Sequence, residues 1–334
     1  MRFVSGFLVM ITDWSKCRVL ITGAAGFIGS HLTDRLLSAG AQVVGYDNFS
    51  TGMREFLAPA RSHPAFRLIE GDVLDSDRLA SAMHGVDMVF HLAANADVRH
   101  GLEHPRKDLE QNTIATFSVL EAMRATAVKN LAFASTGSIY GEASVIPTPE
   151  DAPFPVQTSL YGASKLAAEG MIAAYCEGYG LCSWIFRFVS ILGERYTHGH
   201  VLDFYNKLLA DPERLHVLGD GHQRKSYLYV QDCIDGMLCA IGHSSDRVNV
   251  FNLGTDHCCE VRDSVRSITT YLRLAPVVDY AGGQRGWIGD NPLIWLDTRR
   301  IRALGWAPTL TIEQSLIRTI AWLVENRWML AVRG

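Results

Sequence analysis

Residues 18–29 read Arg-Val-Leu-Ile-Thr-Gly-Ala-Ala-Gly-Phe-Ile-Gly, an apolar run followed by three evenly spaced glycines. The apolar beginning predicts a buried strand, and the residues from Ile28 to Ala39 repeat with the period of a helix. Gly23, Gly26 and Gly29 stand at the junction. Glycines here permit a tight turn, a close approach to the backbone and close helix-to-strand packing, and a helix start attracts anions. The stretch therefore predicts a site for the pyrophosphate of a dinucleotide.

Two acidic residues follow the next predicted strands. Asp47 ends the run 42–47, 18 residues after Gly29, where a carboxylate binds the adenosine 2′-hydroxyl and repels a 2′-phosphate. Asp72 follows the run 66–70, where it could reach the adenine edge. Ordinary turn chemistry is the alternative at both positions. The pattern predicts NAD rather than NADP.

Short apolar runs alternate with amphipathic stretches along the first part of the chain. The strand-like runs are 18–22, 42–47, 66–70, 88–92, 131–135, 183–188 and 248–253, and the helical patterns include 28–39, 77–84, 105–126 and 160–179. Continuous apolar strands that alternate with helices are typical of a parallel sheet covered on both faces. The predicted fold class is α/β, a Rossmann-type doubly wound parallel sheet.

The alternation breaks up after residue 188, which predicts a second, smaller α/β lobe that binds substrate. Because 248–253 again resembles a core strand, we expect the chain to return to the first domain before it ends in the second. The predicted units are an N-terminal tail at 1–15, a dinucleotide-binding domain at 16–188 plus about 228–255, and a substrate domain at about 189–227 and 256–330.

Composition excludes several classes of protein. The 334 residues are 48% hydrophobic and 20% charged, as in a folded globular chain, and the net charge of −4 predicts neither nucleic-acid nor membrane binding. The apolar patch 7–11 is far shorter than a membrane span. Seven cysteines without a C-x-x-C pair or a metal-ligand spacing indicate reduced thiols, no metal site and a cytoplasmic location.

A tyrosine and a lysine lie four residues apart at the start of a predicted helix. Tyr161 and Lys165 therefore share one helix face. They follow a hydroxyl pair, Ser135-Thr136, that ends the fifth predicted strand, so all can meet at the carboxyl edge of one sheet. We expect Lys165 and a cationic nicotinamide together to lower the pKa of Tyr161, which then takes the proton of a substrate hydroxyl, while Thr136 donates a hydrogen bond to the oxygen. Ser135 and Ser138 remain alternatives to Thr136, and an ordinary helix pair is the alternative for Tyr161 and Lys165.

These motifs together resemble the extended short-chain dehydrogenase/reductase family of NAD-dependent epimerases and dehydratases, closest in pattern to UDP-glucose 4-epimerase. The resemblance covers residues 17 to about 326. Its motifs are Gly23-x-x-Gly26-x-x-Gly29, Asp47-Asn48, His91-Leu-Ala-Ala94, Ser135 to Gly141, Tyr161-x-x-x-Lys165, Gly219-Asp-Gly221 and Leu304-Gly-Trp306-x-Pro308.

The resemblance implies which residues contact ligands. For NAD they are Gly23, Gly26, Phe27, Ile28, Gly29, Asp47, Asn48, Asp72, Val73, Leu92, Ala93, Ala94, Asn112, Tyr161, Lys165 and Phe188. For the substrate they are Thr136, Ser190, Lys225, Tyr227, Arg285 and Asp290. The catalytic hydroxyl of the family falls on Thr136, four residues before Tyr140. His91 is expected to be structural rather than catalytic.

The resemblance also implies the reaction. Family members that catalyse 4,6-dehydration carry an Asp-Glu pair directly after the catalytic hydroxyl, whereas this chain has Gly137 and Ser138. We therefore expect a UDP-hexose 4-epimerase, acting on UDP-glucose/UDP-galactose or on N-acetyl or uronate forms. It would oxidise C4, let the 4-keto sugar rotate and return the hydride to the opposite face.

Two departures from the family pattern keep other functions open. Ser190 replaces a longer Asn, and Lys225 replaces an Arg that binds the diphosphate, so that charge remains without the planar fork. The alternatives are another NAD-dependent nucleotide-sugar reaction (2-epimerisation, decarboxylation, dehydration or net C4 oxidation) and a non-catalytic NAD-binding regulator. As is common in the family, helices 105–126 and 160–179 are expected to pair in a homodimer.

Overall fold

A computed structural model describes residues 11–96, 101, 103–154 and 156–333 of the chain. The strands are β1 (Arg18–Thr22), β2 (Gln42–Asp47), β3 (Phe66–Glu70), β4 (Met88–His91), β5 (Asn130–Thr136), β6 (Cys182–Phe188), β7 (Ser190–Leu192), β8 (Arg214–Val217), β9 (Arg224–Lys225), β10 (Tyr227–Tyr229), β11 (Val248–Leu253), β12 (Cys259–Glu260), β13 (Val277–Tyr280) and β14 (Leu293–Ile294). The α-helices are α1 (Phe27–Ser38), α2 (Ala58–Arg61), α3 (Ser76–Met83), α4 (Pro105–Asp108), α5 (Ala115–Thr126), α6 (Leu160–Tyr179), α7 (His200–Ala210), α8 (Val230–His243), α9 (Val261–Leu272), α10 (Arg299–Arg302), α11 (Ile312–Glu325) and α12 (Trp328–Arg333).

Seven strands form one parallel sheet in the order β11-β6-β5-β4-β1-β2-β3. The chain runs from β1 to one edge of the sheet and then crosses to β4 on the other side of β1. In open parallel sheets, ligands bind at such a reversal, beside the carboxyl ends of the strands. Thr22 is paired with His91 at this end, and Thr136 with Phe188. The predicted fold class is confirmed, and the predicted site residues of these strands lie along one edge.

Both faces of the sheet are covered by helices. Successive residues of β1 enter different hydrophobic clusters: Val19 and Ile21 pack with α1 and α8, while Leu20 packs with α3, α5 and α6. This two-sided burial explains why the strands read as continuous apolar runs.

The predicted element bounds agree closely with the structure. β1, β2, β3 and β11 have the predicted limits, and β5 is one residue longer at each end, so that it includes Thr136. The pattern 105–126 is helical, but its turn Leu109–Ile114 is a π-helix between α4 and α5.

Beyond β6 the chain builds small sheets beside the main one. β7 pairs with β10, β9 pairs with β12 and β14, and β8 pairs with β13. β11 returns to the main sheet beside β6, as the sequence indicates. One hydrophobic cluster continues from the main sheet through Leu192 and Tyr205 to Leu316, so the two lobes share a core.

The predicted N-terminal tail is described only in part, since residues 1–10 lie outside the described residues. Ile11 is buried in the main cluster. Trp14–Lys16 forms a 3-10 turn, and the Trp14 ring lies 5.9 Å from that of Phe90, centre to centre. Ile11 and Trp14 therefore pack against the rest of the fold.

Candidate active site

The turn between β1 and α1 leaves no room for side chains at its glycines. Gly23 has a φ of +71°, and a Cβ added to it would lie 2.8 Å from the Ala93 nitrogen. A Cβ on Gly29 would collide with the Gly23 carbonyl oxygen. Gly26 is the N-cap of α1 and has no side-chain cap, so the first-turn N–H groups point into this backbone-lined turn. The turn has the chemistry of a pyrophosphate site, with Phe27 and Ile28 opening the helix.

Asp47, at the end of β2, is buried beside this turn. One carboxylate oxygen accepts a hydrogen bond from the Ala25 N–H and the other from the Phe49 N–H, both at 2.8 Å. Burial raises the pKa of Asp47, and the bonds from Phe49 and Ala25 lower it. The structure therefore places the carboxylate next to the glycine turn and fixes it through the backbone.

Asn48 and Asp72 meet at the ends of β2 and β3. Asn48 Nδ2 donates to one Asp72 carboxylate oxygen at 2.9 Å, and the Leu74 N–H donates to the other at 2.9 Å. Val73 is buried behind them. A cavity of about 710 Å³ lies beside the pair and is also lined by Ala94 and the start of α4. Its volume lies within the range of small-molecule sites.

His91 ends β4 and is fully buried. Its two ring nitrogens lie 2.8 Å from Thr22 Oγ1 and 3.2 Å from Thr116 Oγ1. Burial lowers the pKa of His91 to about 3, and Lys165 contributes in the same direction. His91 is thus a neutral, hydrogen-bonded structural residue. The segment 92–94 follows it past the glycine turn, and the Leu92 N–H donates to the Thr22 carbonyl at 3.2 Å.

Asn112 lies in the π-helical turn, at the centre of a buried polar network. Its Oδ1 accepts from the Asn95 N–H at 3.0 Å, and its Nδ2 donates to Ser164 Oγ at 2.9 Å. Ser164 Oγ in turn donates to the Tyr161 carbonyl at 2.8 Å. The turn therefore joins the loop after β4 to the start of α6, as π-helical insertions at functional sites often do. Asn95 and Ser164 carry no motif, and the sequence did not single them out.

The Thr136 side chain lies close enough to Tyr161 to act on its hydroxyl. Burial raises the pKa of Tyr161 to about 12, and Thr136 lowers it. Thr136 Oγ1 also donates to Ser138 Oγ at 3.2 Å, whereas the Ser135 hydroxyl donates to Glu169. Of the three hydroxyls left open by the sequence, Thr136 is the one that acts on the pKa of Tyr161.

Lys165 lies one turn further along α6 and is 2% exposed. Its Nζ donates to the Ala134 carbonyl at 2.8 Å. Burial lowers the pKa of Lys165 to about 7, and Glu169 followed by Asp108 raises it. We expected Lys165 to lower the pKa of Tyr161. Burial instead dominates the pKa of Tyr161, and the Lys165 amine is bound to a backbone carbonyl.

Glu169, a further turn along α6, is a buried charge that sequence reasoning missed. Arg187 of β6 donates to it through Nε at 3.2 Å and Nη2 at 2.7 Å, and both side chains are less than a tenth exposed. Arg187 also donates to Tyr140 Oη at 2.6 Å. The signal was present in the sequence, because Tyr161, Lys165 and Glu169 repeat every four residues and so share a helix face.

The cations predicted to bind a diphosphate are both ion-paired. Lys225 Nζ lies 2.5 Å from Asp290 Oδ1, with both side chains largely buried. Asp290 Oδ2 also accepts from the Gly286 N–H at 3.0 Å. Arg285 forms a half-exposed ion pair with Glu142. Lys225 and Asp290, predicted as separate substrate contacts, therefore form one locally neutral pair.

The remaining predicted residues divide between the sheet edge and the smaller lobe. Phe188 ends β6 opposite Thr136, and Ser190 begins β7 with an exposed side chain. Tyr227, the β10 partner of Ser190, is buried, and its ring centre lies 5.0 Å from that of His200. Burial raises the pKa of Tyr227. Ser190 thus reaches the surface near the edge, while Tyr227 belongs to the core of the smaller lobe.

Known proteins match the chain over both lobes. The NAD dependent epimerase/dehydratase family model matches residues 19–254. The UDP-glucose 4-epimerase of Mycolicibacterium smegmatis is 33% identical over 311 residues, which are 91% of this chain and 97% of that protein. A crystal structure of UDP-galactose 4-epimerase has a TM-score of 0.83 at 36% identity and covers 93% of this chain and 100% of its own. The crystal structure of the Bacillus cereus UDP-glucuronic acid 4-epimerase with UDP-glucuronic acid and NAD has a TM-score of 0.84 at 26% identity, covering 92% and 99%.

Proposed function

Because the chain belongs to the NAD dependent epimerase/dehydratase family, we propose that it is a NAD-dependent nucleotide-sugar 4-epimerase with a UDP-hexose as substrate. The closeness of the Tyr161 and Thr136 side chains carries this proposal. It places two hydroxyls together at the carboxyl edge of the sheet. Reversible oxidation of a sugar alcohol needs one group to move the proton and one to bind the oxygen.

NAD fits the residues along this edge. The turn Gly23 to Gly29 is packed backbone against backbone without side chains at its glycines, and the start of α1 has N–H groups that no side chain caps. Asp47 would hold the adenosine ribose, and Lys165 the nicotinamide ribose. When bound, NAD accepts the C4 hydrogen with its electron pair, returns it later and brings a positive charge to the site.

Tyr161 is the group that moves the proton. Its pKa of about 12 keeps the hydroxyl neutral at pH 7, and a positive charge beside it favours the phenolate. The phenolate takes the proton of the C4 hydroxyl and gives it back after the sugar has turned its other face. Thr136 donates a hydrogen bond to the C4 oxygen during both transfers.

The positions after Thr136 support epimerisation over dehydration. A Cβ on Gly137 would lie 3.3 Å from the Phe188 carbonyl oxygen and 3.4 Å from Ile294 and Leu296, so the position is tightly packed. Gly137 offers no side chain, and Ser138 offers only a hydroxyl. These two positions therefore supply no acid–base pair for the elimination of water across C5 and C6.

The test is an NMR-monitored screen of the purified protein, supplied with NAD, against UDP, TDP, CDP and GDP sugars. We expect a UDP-hexose to equilibrate with its C4 epimer without net formation of NADH. If UDP-glucose, UDP-N-acetylglucosamine and UDP-glucuronate all stay unchanged, the proposed function is wrong.

A different NAD-dependent nucleotide-sugar reaction is the second candidate. Two observations favour it: Ser190 is shorter than the Asn usual in the family, and the Lys225 charge is compensated by Asp290. These features change how a sugar and its diphosphate would be held. Net NADH, release of CO2 or inversion at C2 in the same screen would identify this alternative.

We also propose that the protein is a homodimer. Leu109, Ile114 and Phe117 on the segment α4–α5, and Tyr179 on α6, are large side chains that are each more than two-fifths exposed. Phe117 meets Tyr175 edge-to-face across the two helices at 6.4 Å. Such a patch predicts a partner surface. Light scattering that gives a monomer mass at micromolar concentration contradicts the proposal, and Phe117→Asp is expected to produce that monomer.

A cytoplasmic location is part of the same proposal. All seven cysteines are free thiols, as a reducing compartment predicts. Within the described ranges, no helix has both the length and the apolar character needed to span a bilayer. Fractionation of the native cells, with an antibody against the chain, tests the location.

A further inference from the structure

Glu169 takes no part in the proposed proton transfer, although it is buried on the same helix as Tyr161 and Lys165. We propose that Glu169 is a positioning residue: held by Arg187 and Ser135, it keeps the Lys165 ammonium charged and the Thr136 hydroxyl directed to Tyr161. The roles of Lys165 and Thr136 in turnover rest on the proposed function. The placement of Glu169 does not.

The Glu169 carboxylate joins three elements at one point. Arg187 Nε lies 3.2 Å and 3.3 Å from its two oxygens, and Arg187 Nη2 donates at 2.7 Å. The Ser135 hydroxyl donates to the same carboxylate. Helix α6, strand β6 and the end of β5 are therefore tied together through fixed, buried donors, which give such a pair its geometric precision.

The bond from Ser135 also determines the direction of its neighbour. Successive side chains of a strand point to opposite faces. The Ser135 hydroxyl is held by Glu169, so Thr136, on the other side of the strand end, is the hydroxyl left beside Tyr161. Glu169 thus helps to select which of two adjacent hydroxyls faces the site.

Lys165 needs a nearby negative charge because the groups in contact with its Nζ stabilise an ammonium only weakly. Its Nζ has the Ala134 carbonyl at 2.8 Å and the Phe133 ring centre at 4.7 Å. Burying an ammonium with only dipoles around it is costly.

The charged and titratable groups around Lys165 come from four elements. Glu169 stands on α6 and Asp108 on α4, and both favour the ammonium. His91 on β4 is kept neutral by burial. Arg187 on β6 forms an ion pair with Glu169, which reduces the effect of the Glu169 charge on Lys165. Glu169 has the larger effect of the two acids, so its removal should lower the pKa of Lys165 and reduce the charged fraction at neutral pH.

The test reads Lys165 directly and needs neither substrate nor turnover. The chain has only six lysines, so 13C-labelled lysine gives few NMR signals, and Lys165→Met assigns the one of interest. In Glu169→Gln we expect the pKa of Lys165 to fall by about one unit or more. Glu177→Gln is the matched control, because Glu177 lies on the same helix and pairs with Arg247 at an exposed site. The control should leave the titration of Lys165 unchanged.

Glu169→Gln leaves the buried Arg187 without its partner, which destabilises the fold. The double variant Glu169→Gln/Arg187→Met removes both charges together, which is much less destabilising than removing one. We expect the pKa of Lys165 to fall in this variant too, but by less than in Glu169→Gln, because the positive charge of Arg187 is removed with the negative charge of Glu169. The proposal is overturned if Lys165 titrates as in the wild-type protein in whichever of the two variants folds. A chain that epimerises no sugar but shows the shift refutes the proposed function and leaves this inference standing.

Discussion

Arg285 is ion-paired with Glu142, and this pair joins the loop between β13 and β14 to the loop that follows Thr136 and Ser138. Arg285 is the residue expected to meet the diphosphate of the substrate. Glu142 and the diphosphate of a bound substrate therefore compete for the Arg285 guanidinium, and binding must break the ion pair with Glu142.

Replacing Glu142 with Gln should strengthen nucleotide binding. The pair is half-exposed, so releasing Arg285 is expected to tighten UDP binding by about two- to five-fold. Titration calorimetry at low and at high salt measures the effect, which should shrink as salt screens the charges. Glu177→Gln, in a remote surface pair, is the control. Unchanged or weaker binding in Glu142→Gln would show that Arg285 does not contact the diphosphate.

Tyr161→Phe should remove turnover and spare the cofactor site. The ring keeps its packing, but the hydroxyl that exchanges the proton is lost, and such groups typically contribute between about 10²- and 10⁴-fold. NMR of the sugar mixture measures the rate, and calorimetry measures NAD binding. Tyr179→Phe, on an exposed position of the same helix, should behave as wild type. Full activity in Tyr161→Phe would assign the proton transfer to another group.

Gly29→Ala should destabilise the fold itself. Its Cβ would collide with the Gly23 carbonyl, which is backbone and cannot rotate away, so we expect a loss of at least about 2 kcal/mol in urea unfolding. Gly170→Ala provides the opposite case. It lies on α6 with no heavy atom within 4 Å of the added Cβ, and should gain about 0.5–1 kcal/mol. Equal effects of the two changes would contradict the close contact of turn and helix.

Acid should destabilise the protein partly through His91. Its folded pKa of about 3 lies below the ordinary value of 6.5, so the unfolded chain binds the proton first. The stability linked to His91 is complete above pH 6.5 and is lost as the pH falls towards 3, by roughly 2 kcal/mol at pH 5. Urea unfolding of wild type and His91→Asn at pH 7.5 and pH 5 measures this. The variant should lose less stability between the two pH values, and an identical loss would rule out burial of a neutral His91.

Local sequence patterns predicted what depends on local geometry. The apolar runs gave the limits of β1 and β2, and glycine spacing placed the turn that Gly23 and Gly29 form. The pair Tyr161 and Lys165 followed from the helical period. These features are set by residues within about two turns of each other.

The parts that sequence did not predict depend on distant partners. Glu142 and Arg285 are 143 residues apart, and Glu169 is buried only because Arg187 arrives on a neighbouring strand. The pKa of Tyr161 follows from burial, which no local pattern reports. Tertiary packing, rather than spacing, determines these charges.

The π-helical turn Leu109–Ile114 makes the length of this helix as important as its composition. Deleting one residue from the turn would restore ordinary α-helical winding and rotate the preceding residues by about 100° relative to α5. Asn112 would then leave Asn95 and Ser164, although every side chain needed for the network would still be encoded. A single-codon deletion here would therefore change which residues face outward, on the apolar side, and which face inward, on the polar side, without changing any side chain. No substitution has that effect.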